Sequence, residues 1–224
     1  MAAAPDPGRP VKAPRTVTLT VGEPLDLRLR ALELAPALLG AVLGYGPVSI
    51  MLTEVEAYEG VDDPASHAWR GRTPRSGIMF GPPGHVYVYL SHGIHHAMNL
   101  VCGPDGTASA VLLRAGRVVA GLPEARRRRS GVEDDRLARG PGNLTRALGI
   151  SLADNGATLR VTVAGRTGTP RRVGEGDIAT GPRVGVSRAA DRPWRFRVRD
   201  DATVSAYRRS GRAPAARDTA SPDQ

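Results

Sequence analysis

The stretch VSIMLTEVEAY at 48–58 constrains the fold most, because its β-branched and apolar residues predict a long β-strand. Side chains alternate across a strand, so the even-numbered side chains are predicted to share one face. They are Ile50, Leu52, Glu54, Glu56 and Tyr58. A face that changes from apolar to acidic is typical of a strand that ends at a cleft. It is also typical of an edge strand turning towards solvent, and periodicity alone favours that second interpretation.

The remaining pattern predicts more strands than helices. Strands are predicted at 85–90, 107–120, 159–164, 183–187 and 194–199, the last with clean alternation in WRFRVR. Helices are predicted at 24–43, where Pro36 should kink the helix, and at 123–149, with a break at 140–143. Irregular loops separate the strands. The sequence therefore predicts a single α+β domain with a curved antiparallel β-sheet core and peripheral helices.

Composition sets the boundaries of that domain. Residues 1–15 and 209–224 are rich in Pro, Ala and Arg and are predicted to be disordered tails, which leaves a folded domain at 16–208. The first tail has no apolar run of the signal-peptide type, and no stretch approaches the length of a membrane span. Cys102 is the only cysteine, which excludes an internal disulfide and a cysteine-based zinc or iron–sulfur site.

The charge balance predicts a polyanionic partner. Thirty-one basic residues and 22 acidic ones give a formal net charge of +9. Plain solubility would explain such a charge equally well. Lys12 is the only lysine and lies in the Pro-rich tail, so no amine in the predicted domain is available for Schiff-base catalysis.

Histidines and tyrosines are concentrated in one part of the chain. All five histidines fall between positions 67 and 96, next to Tyr58, Tyr87 and Tyr89. Aromatic rings beside an acid and a histidine could form a slot for a flat heterocycle, and a tyrosine-rich core face is the alternative. A metal site within HGIHH (92–96) would lack a standard ligand spacing, so no metal and no cofactor are predicted.

Three polar segments are candidates for phosphate contact. The loop RGRTPR at 70–75 offers Arg72, Thr73 and Arg75, which are typical phosphate-binding residue types. The run RRRR at 126–129 is a weaker signal, because nearby acidic residues balance it as on a solvated helix face. The turn GPGN at 140–143 could present N–H groups to a phosphate or could be capped by Asn143.

The ordered series of these motifs resembles one family, the alkyladenine (3-methylpurine) DNA glycosylases. The segments follow in the family's order with family-like spacing and cover most of residues 20–200. They are TEVEAYEG (53–60), DPASHAWRGRTPRSGIMF (63–80), PGHVYVYLSHGIHHAMNLV (83–101), AVLLRAG (110–116), GPGNLTRALGI (140–150), RVGVS (183–187) and PWRFRV (193–198). A short motif such as VEAY would carry little weight alone, whereas the whole series is very specific.

The resemblance implies roles for the matching side chains. Glu56 is similar to the family's catalytic acid, which activates a water to attack the sugar C1′. Arg114 is similar to the arginine that helps to hold the acid and the water. Asn99 matches the residue that crowds the exocyclic amine of guanine and so rejects normal guanine. The implied walls of the slot for the flipped base are Tyr58, His67 and Tyr89.

The resemblance also implies a wedge that fills the gap left by the flipped nucleotide. His92 occupies its position, where some relatives have a tyrosine. Histidine is the smaller residue, so Ile94 and His95 are expected to share the wedge role.

The resemblance implies a monofunctional DNA glycosylase that flips alkylated or deaminated purines from duplex DNA and hydrolyses the N-glycosidic bond without cutting the strand. The implied partner is double-stranded DNA containing damaged purines, with no membrane partner, and a monomer is the family's default. We expect a bacterial protein of the cytoplasm, associated with the nucleoid. Two rival functions stay open here: a non-catalytic damaged-DNA-binding module, and a metal-dependent hydrolase that uses the histidine cluster.

Overall fold

The computed structural model describes residues 16–91, 93–164 and 173–215, in which nine strands form one sheet flanked by three short α-helices. The strands are β1 (Val17–Val21), β2 (Val42–Tyr45), β3 (Val48–Tyr58), β4 (Val86–Ser91), β5 (His95–Val101), β6 (Ala110–Ala120), β7 (Leu159–Val163), β8 (Ile178–Gly181) and β9 (Arg195–Val198). The helices are α1 (Ala31–Ala37), α2 (Leu122–Arg128) and α3 (Pro141–Leu148). The predicted tail at 1–15, and residues 216–224 of the second tail, lie outside the described residues.

The sheet confirms an α+β domain but is mixed rather than wholly antiparallel. Its strand order is β4-β5-β6-β3-β2-β1-β7, and β9 pairs with β3 and β8. The β1–β7 pair is parallel and the other pairs are antiparallel. One edge of β3 pairs first with β2 and then, at Glu54–Glu56, with β9. Strand β3 therefore has neighbours on both edges, and the edge-strand interpretation of 48–58 is wrong.

The predicted helix at 24–43 is wrong in extent, because only Ala31–Ala37 is helical. Pro36 lies near the end of α1 and has no N–H to donate. Gly40 then adopts a positive φ of 82° and donates its N–H to the carbonyl of Leu52, which turns the chain into β2. Tertiary pairing with β3 thus replaces the second half of the predicted helix.

Other predicted strands and helices also differ from the observed ones. Residues 183–187 do not form a strand, because Gly185 has a positive φ of 72° and the N–H of Val184 donates to a side-chain carboxylate instead of a neighbouring strand. The predicted helical stretch at 123–149 divides into α2, a 3-10 turn at Asp134–Arg136 and α3. Four strands were not predicted: β1, β2, β5 and β8.

A pair of β-bulges decides which face of the sheet each acidic residue occupies. The pairing of β3 with β6 shifts register between Leu52 and Glu54 and again between Glu54 and Val55, so that Thr53 and Arg114 lack an opposite partner in this ladder. Each extra residue reverses the alternation of its own strand. The prediction that Ile50 and Leu52 share a face with the three polar residues of β3 is therefore wrong.

Two hydrophobic clusters lie on opposite faces of this part of the sheet. The larger contains Ile50, Leu52, Val55 and Ala57, whose change from even to odd numbers follows from the bulge. The smaller cluster includes Tyr87 and lies on the face that carries Glu54, Glu56 and Tyr58. The bulges thus turn the acidic residues away from the main core and towards the second face.

Gly116 permits the close approach of β3 and β6 at the bulges. A Cβ at this position would fall inside contact distance of the Met51 carbonyl and the Ile50 side chain. We predict that Gly116→Ala lowers the free energy of unfolding by about 2–3 kcal/mol, because the crowded atoms belong partly to backbone that cannot move freely. Denaturant unfolding measures the change.

Gly181→Ala is the matched control for that substitution. Gly181 also lies in a strand, and a Cβ there would have no neighbouring atom within 4 Å. Equal stability of the two variants would contradict the packing explanation.

Candidate active site

One face of the sheet forms the floor of a cavity of about 780 Å³. Neighbouring strands supply the floor through side chains that point to the same face. These are Tyr58 from β3, Tyr87 and Tyr89 from β4, Ala97 and Asn99 from β5, and Leu112 and Arg114 from β6. The walls come from residues within 64–73, from 140–143 at the start of α3, and from 184–188. The volume is typical of sites that enclose a small organic group.

Glu56 lies directly behind this floor and is fully buried. Its Oε1 accepts a hydrogen bond from the backbone N–H of Val184 at 2.8 Å and lies 3.3 Å from a guanidinium nitrogen of Arg114. Its Oε2 accepts a hydrogen bond from the Tyr58 hydroxyl at 2.8 Å. A carboxylate offers about four lone-pair positions, so one on Oε2 remains for a further donor.

Arg114 connects Glu56 to a second buried carboxylate. Its Nε donates to Glu54 Oε1 at 2.9 Å, and Arg195 donates to the same oxygen at 2.6 Å. Burial alone would raise the pKa of Glu54, but the charges of Arg114 and Arg195 outweigh it and lower that pKa. Burial likewise opposes the charge of Arg114, whose pKa is nevertheless raised by Glu56 and Glu54. Arg114 is therefore a fixed cation between two acids.

The segment after β9 completes this network from behind. The backbone N–H and hydroxyl of Ser205 donate to Glu54 at 2.7 and 2.9 Å, and its carbonyl accepts a hydrogen bond from Arg195 at 2.6 Å. The hydroxyls of Thr203 and Thr53 lie 2.7 Å apart, so the segment also contacts the bulge of β3. Both oxygens of Glu54 are thereby satisfied without solvent.

A buried ion pair packs against the Tyr58 ring. Arg183 pairs with Asp63, both side chains are fully buried, and Arg183 also donates to the Ala57 carbonyl at 2.9 Å. The Arg183 guanidinium lies 4.6 Å from the Tyr58 ring centroid. Burial, followed by the nearby charge of Glu56, raises the pKa of Tyr58 well above its usual range, so its hydroxyl stays a proton donor.

His67 packs against Tyr87 and Tyr89 at one side of the floor, and these three rings are called the aromatic wall. The His67 and Tyr89 ring centroids are 4.6 Å apart in an edge-to-face arrangement, and His67 Nδ1 lies 3.0 Å from the Tyr87 hydroxyl. Burial is the main cause that raises the pKa of Tyr89 to about 12. Burial within the wall, and then the charge of Arg75, lower the pKa of His67 to about 4. The wall is therefore uncharged at neutral pH.

The loop residues predicted to contact DNA occupy different environments. Arg75 Nε donates to the Tyr87 hydroxyl at 3.3 Å, and its guanidinium lies 5.3 Å from the Tyr89 ring centroid. Arg72 lies 5.3 Å from the Phe80 ring centroid, outside the cavity lining. Thr73 lines the cavity.

Two of the three predicted wedge residues are described, and both lie close to the start of β5. Ile94, between β4 and β5, is 71% exposed, and His95 is exposed and lines the cavity. His92 lies outside the described residues. Asn99 is buried in the floor, where its amide donates to the Tyr87 carbonyl at 3.1 Å. Among the described residues, the structure thus brings His95 together with the wall and floor residues at one cavity.

The two remaining polar segments have structural partners. In α2, Arg126 pairs with Asp134 and Arg127 pairs with Glu124, which fits the interpretation of a solvated helix face. The Asn143 side chain donates to the Arg139 carbonyl at 2.7 Å, so it does not cap α3, while 140–143 lines the cavity.

Sequence reasoning missed several residues that shape the site. Glu54 was noted on the strand without a role, and Val184 lay in the RVGVS motif, so both carried a signal. No sequence pattern indicated Ser205, because its hydrogen bond to Glu54 joins residues that are 151 positions apart. The Arg183–Asp63 pair likewise joins residues 120 positions apart.

Within 16–91, 93–164 and 173–215, no group of three or more His, Cys, Asp or Glu side chains could hold a metal ion. In the same ranges, no helix is long and apolar enough to cross a membrane.

Known proteins share this sequence over most of its length. A family model described as "Methylpurine-DNA glycosylase (MPG)" matches residues 26–202. A Cutibacterium acnes protein named "Putative 3-methyladenine DNA glycosylase" is 55% identical over 191 residues, which cover 82% of this chain and 99% of the relative. Proteins with the same name from Frankia casuarinae and Mycobacterium bovis are 51% and 50% identical, covering 79% and 85% of this chain and 88% and 96% of their own.

The network around Glu54 predicts a large effect on stability. Glu54→Gln removes the charge that compensates Arg114 and Arg195 in a buried site, so we expect the free energy of unfolding to fall by about 3–5 kcal/mol. Denaturant unfolding measures it. Asp134→Asn, which breaks an exposed pair with Arg126, is the matched control and should change stability little. Equal effects would contradict a buried network.

The aromatic wall predicts an unusual histidine titration. In the folded protein, NMR should give His67 a pKa near 4, whereas in the urea-unfolded chain it should titrate near 6.5. Between those values the unfolded chain binds more protons, so the contribution of His67 to stability falls as the pH drops from about 6.5 to about 4. A folded-state pKa close to 6.5 would show that the ring is solvated.

Proposed function

The chain belongs to the methylpurine-DNA glycosylase family, and we propose that it extrudes alkylated or deaminated purines from duplex DNA and hydrolyses their N-glycosidic bond with water activated by Glu56. The observation that carries the proposal is the position of Glu56. Its carboxylate is fully buried against Tyr58, Arg114 and Val184, all of which line an aromatic cavity. A purely DNA-binding module would have no use for such a carboxylate.

Glu56 stabilises the charge that develops as the bond breaks. Positive charge grows on the sugar while the base leaves, and a nearby carboxylate both offsets that charge and accepts a proton from the attacking water. Arg114 and the Val184 N–H hold Oε1, which leaves Oε2 for the water. The Tyr58 hydroxyl donates to the same Oε2 and helps to orient the carboxylate.

The extruded base stacks between Tyr58 and the wall of His67 and Tyr89. Stacking gives about 1–3 kcal/mol per base, which offsets part of the cost of flipping. A methylated purine carries positive charge, and tyrosine faces favour cations by about 1–2 kcal/mol when water is excluded. Because His67 is neutral at neutral pH, the wall does not repel such a base.

Asn99 and the hairpin supply selectivity and base extrusion. Asn99 is held by the Tyr87 carbonyl in the floor, where it crowds the exocyclic amine of guanine. Ile94 and His95, together with His92, enter the gap left in the duplex. Arg72, Thr73 and Arg75 contact DNA near the cavity, and Arg75 also contacts the Tyr87 hydroxyl and the Tyr89 ring.

The reaction removes the base and leaves the strand intact. Strand cleavage through an imine requires an amine in the site, and the sequence has no lysine after Lys12. The product is therefore an abasic site.

Replacement of the carboxylate tests the function. On duplex DNA that contains hypoxanthine, we expect Glu56→Gln to lower the single-turnover rate of base release by about 10³-fold, because the amide cannot accept the proton of water. Glu133→Gln, at an exposed position away from the cavity, is the matched control and should keep the wild-type rate.

The same assay separates the alternatives. Equal rates for Glu56→Gln and wild type would remove Glu56 from the mechanism. No release by wild type from any of several alkylated or deaminated purines would favour a binding module. Strand breaks at neutral pH without added alkali would contradict a base-removal-only reaction.

A further inference from the structure

Two arginines contact the same tryptophan at the mouth of the cavity. The Arg188 guanidinium lies 4.8 Å from the Trp69 ring centroid and that of Arg70 lies 5.3 Å from it. All three residues line the cavity, and both arginines are exposed. Trp69 and Arg70 belong to the 64–73 wall and Arg188 to the 184–188 wall, so the contact joins the two. We call Trp69, Arg70 and Arg188 the arginine–tryptophan rim.

The rim brings two positive charges together without a compensating acid. Among the residues that the structure describes, neither Arg70 nor Arg188 forms an ion pair with a carboxylate, whereas Arg126 and Arg127 on α2 each have one. Two guanidinium groups without a carboxylate partner among the described residues make this part of the cavity mouth positively charged, so it favours an anion.

The rim also differs from the loop arginines that the sequence indicated. The Arg75 guanidinium is directed to Tyr87 and Tyr89, and Arg72 contacts Phe80. Within the described ranges, neither the Arg70 nor the Arg188 guanidinium group donates a hydrogen bond to another residue, so its N–H edges are available. Those edges match two oxygens of a phosphate.

We infer that the arginine–tryptophan rim binds a phosphodiester of the DNA strand immediately next to the extruded nucleotide. The inference rests on the proposed function, since a base inside the cavity leaves its flanking linkages at the mouth. Trp69 aligns the two guanidinium groups through cation–π contacts and links the two walls. The rim thereby fixes the strand at the cavity entrance.

Salt dependence of binding tests the charge contact. For the Arg70→Ala/Arg188→Ala double variant, the slope of log Kd against log salt concentration on lesion-containing duplex should fall by about 0.9, the value for one phosphate that is no longer neutralised. The control is Arg126→Ala/Arg127→Ala, which removes the same net charge from α2, outside the cavity lining. Its slope should stay near wild type, and thermal unfolding confirms that both variants fold.

Neutral linkages test where the phosphate lies. Methylphosphonate replaces one phosphodiester at a time within two nucleotides of the lesion, and binding is measured for wild type and for the rim double variant. We expect a flanking linkage whose neutralisation weakens wild-type binding at least tenfold but changes the binding of the rim variant less than twofold. If neutralisation of every linkage weakened the binding of wild type and of the rim double variant by the same factor, the inference would be overturned.

These results can be distinguished from failure of the proposed function. If wild type releases hypoxanthine while the rim variant keeps the wild-type salt slope, the rim inference fails and the glycosylase proposal stands. If wild type releases no base but the rim variant shows the reduced slope of log Kd against log salt concentration, the rim binds phosphate and the proposed reaction fails.

Discussion

Arg114 forms the contact on which the active site depends, because its guanidinium bridges two buried carboxylates. Glu54 fixes the guanidinium from one side, and the opposite nitrogen reaches Glu56 at the cavity. Charges buried in this way are stable only when every partner is present, since removal of one leaves the others uncompensated. The Glu56 carboxylate is therefore held by a network of residues from β3, β6, β9 and the segment that follows β9.

The paired bulges at Thr53 and Arg114 make this network possible. Without them, the alternation of β3 would place Glu54 on the same face as Leu52, in the main core. Each bulge reverses one strand, and together they restore the register beyond Arg114. The local cost of two bulges is thus linked to function, because it directs two acids and an arginine to the cavity.

Much of the fold followed from the sequence, and the failures have physical causes. Strong alternation predicted β3 and β9, whereas the clustering of tyrosines and histidines left an aromatic slot and a tyrosine-rich core face both open. Alternation assumes an unbroken strand, so it could not reveal the bulge at Thr53. The contacts of Ser205 with Glu54 and of Arg183 with Asp63 join distant segments, for which no local pattern exists. The loop arginines were identified by type, but only the structure distinguished Arg75, which contacts Tyr87 and Tyr89, from Arg72, which contacts Phe80.

The proposal that Glu56 activates the attacking water is tested most directly by the distance from the Glu56 carboxylate to the sugar position in a complex with DNA. A crystal structure with a duplex that carries a cationic pyrrolidine in place of the damaged nucleotide's sugar measures it. The account predicts one water between them, within about 3 Å of both the carboxylate and the position of C1′. A Glu56 carboxylate still enclosed behind Tyr58, with the water held by another residue, would contradict it.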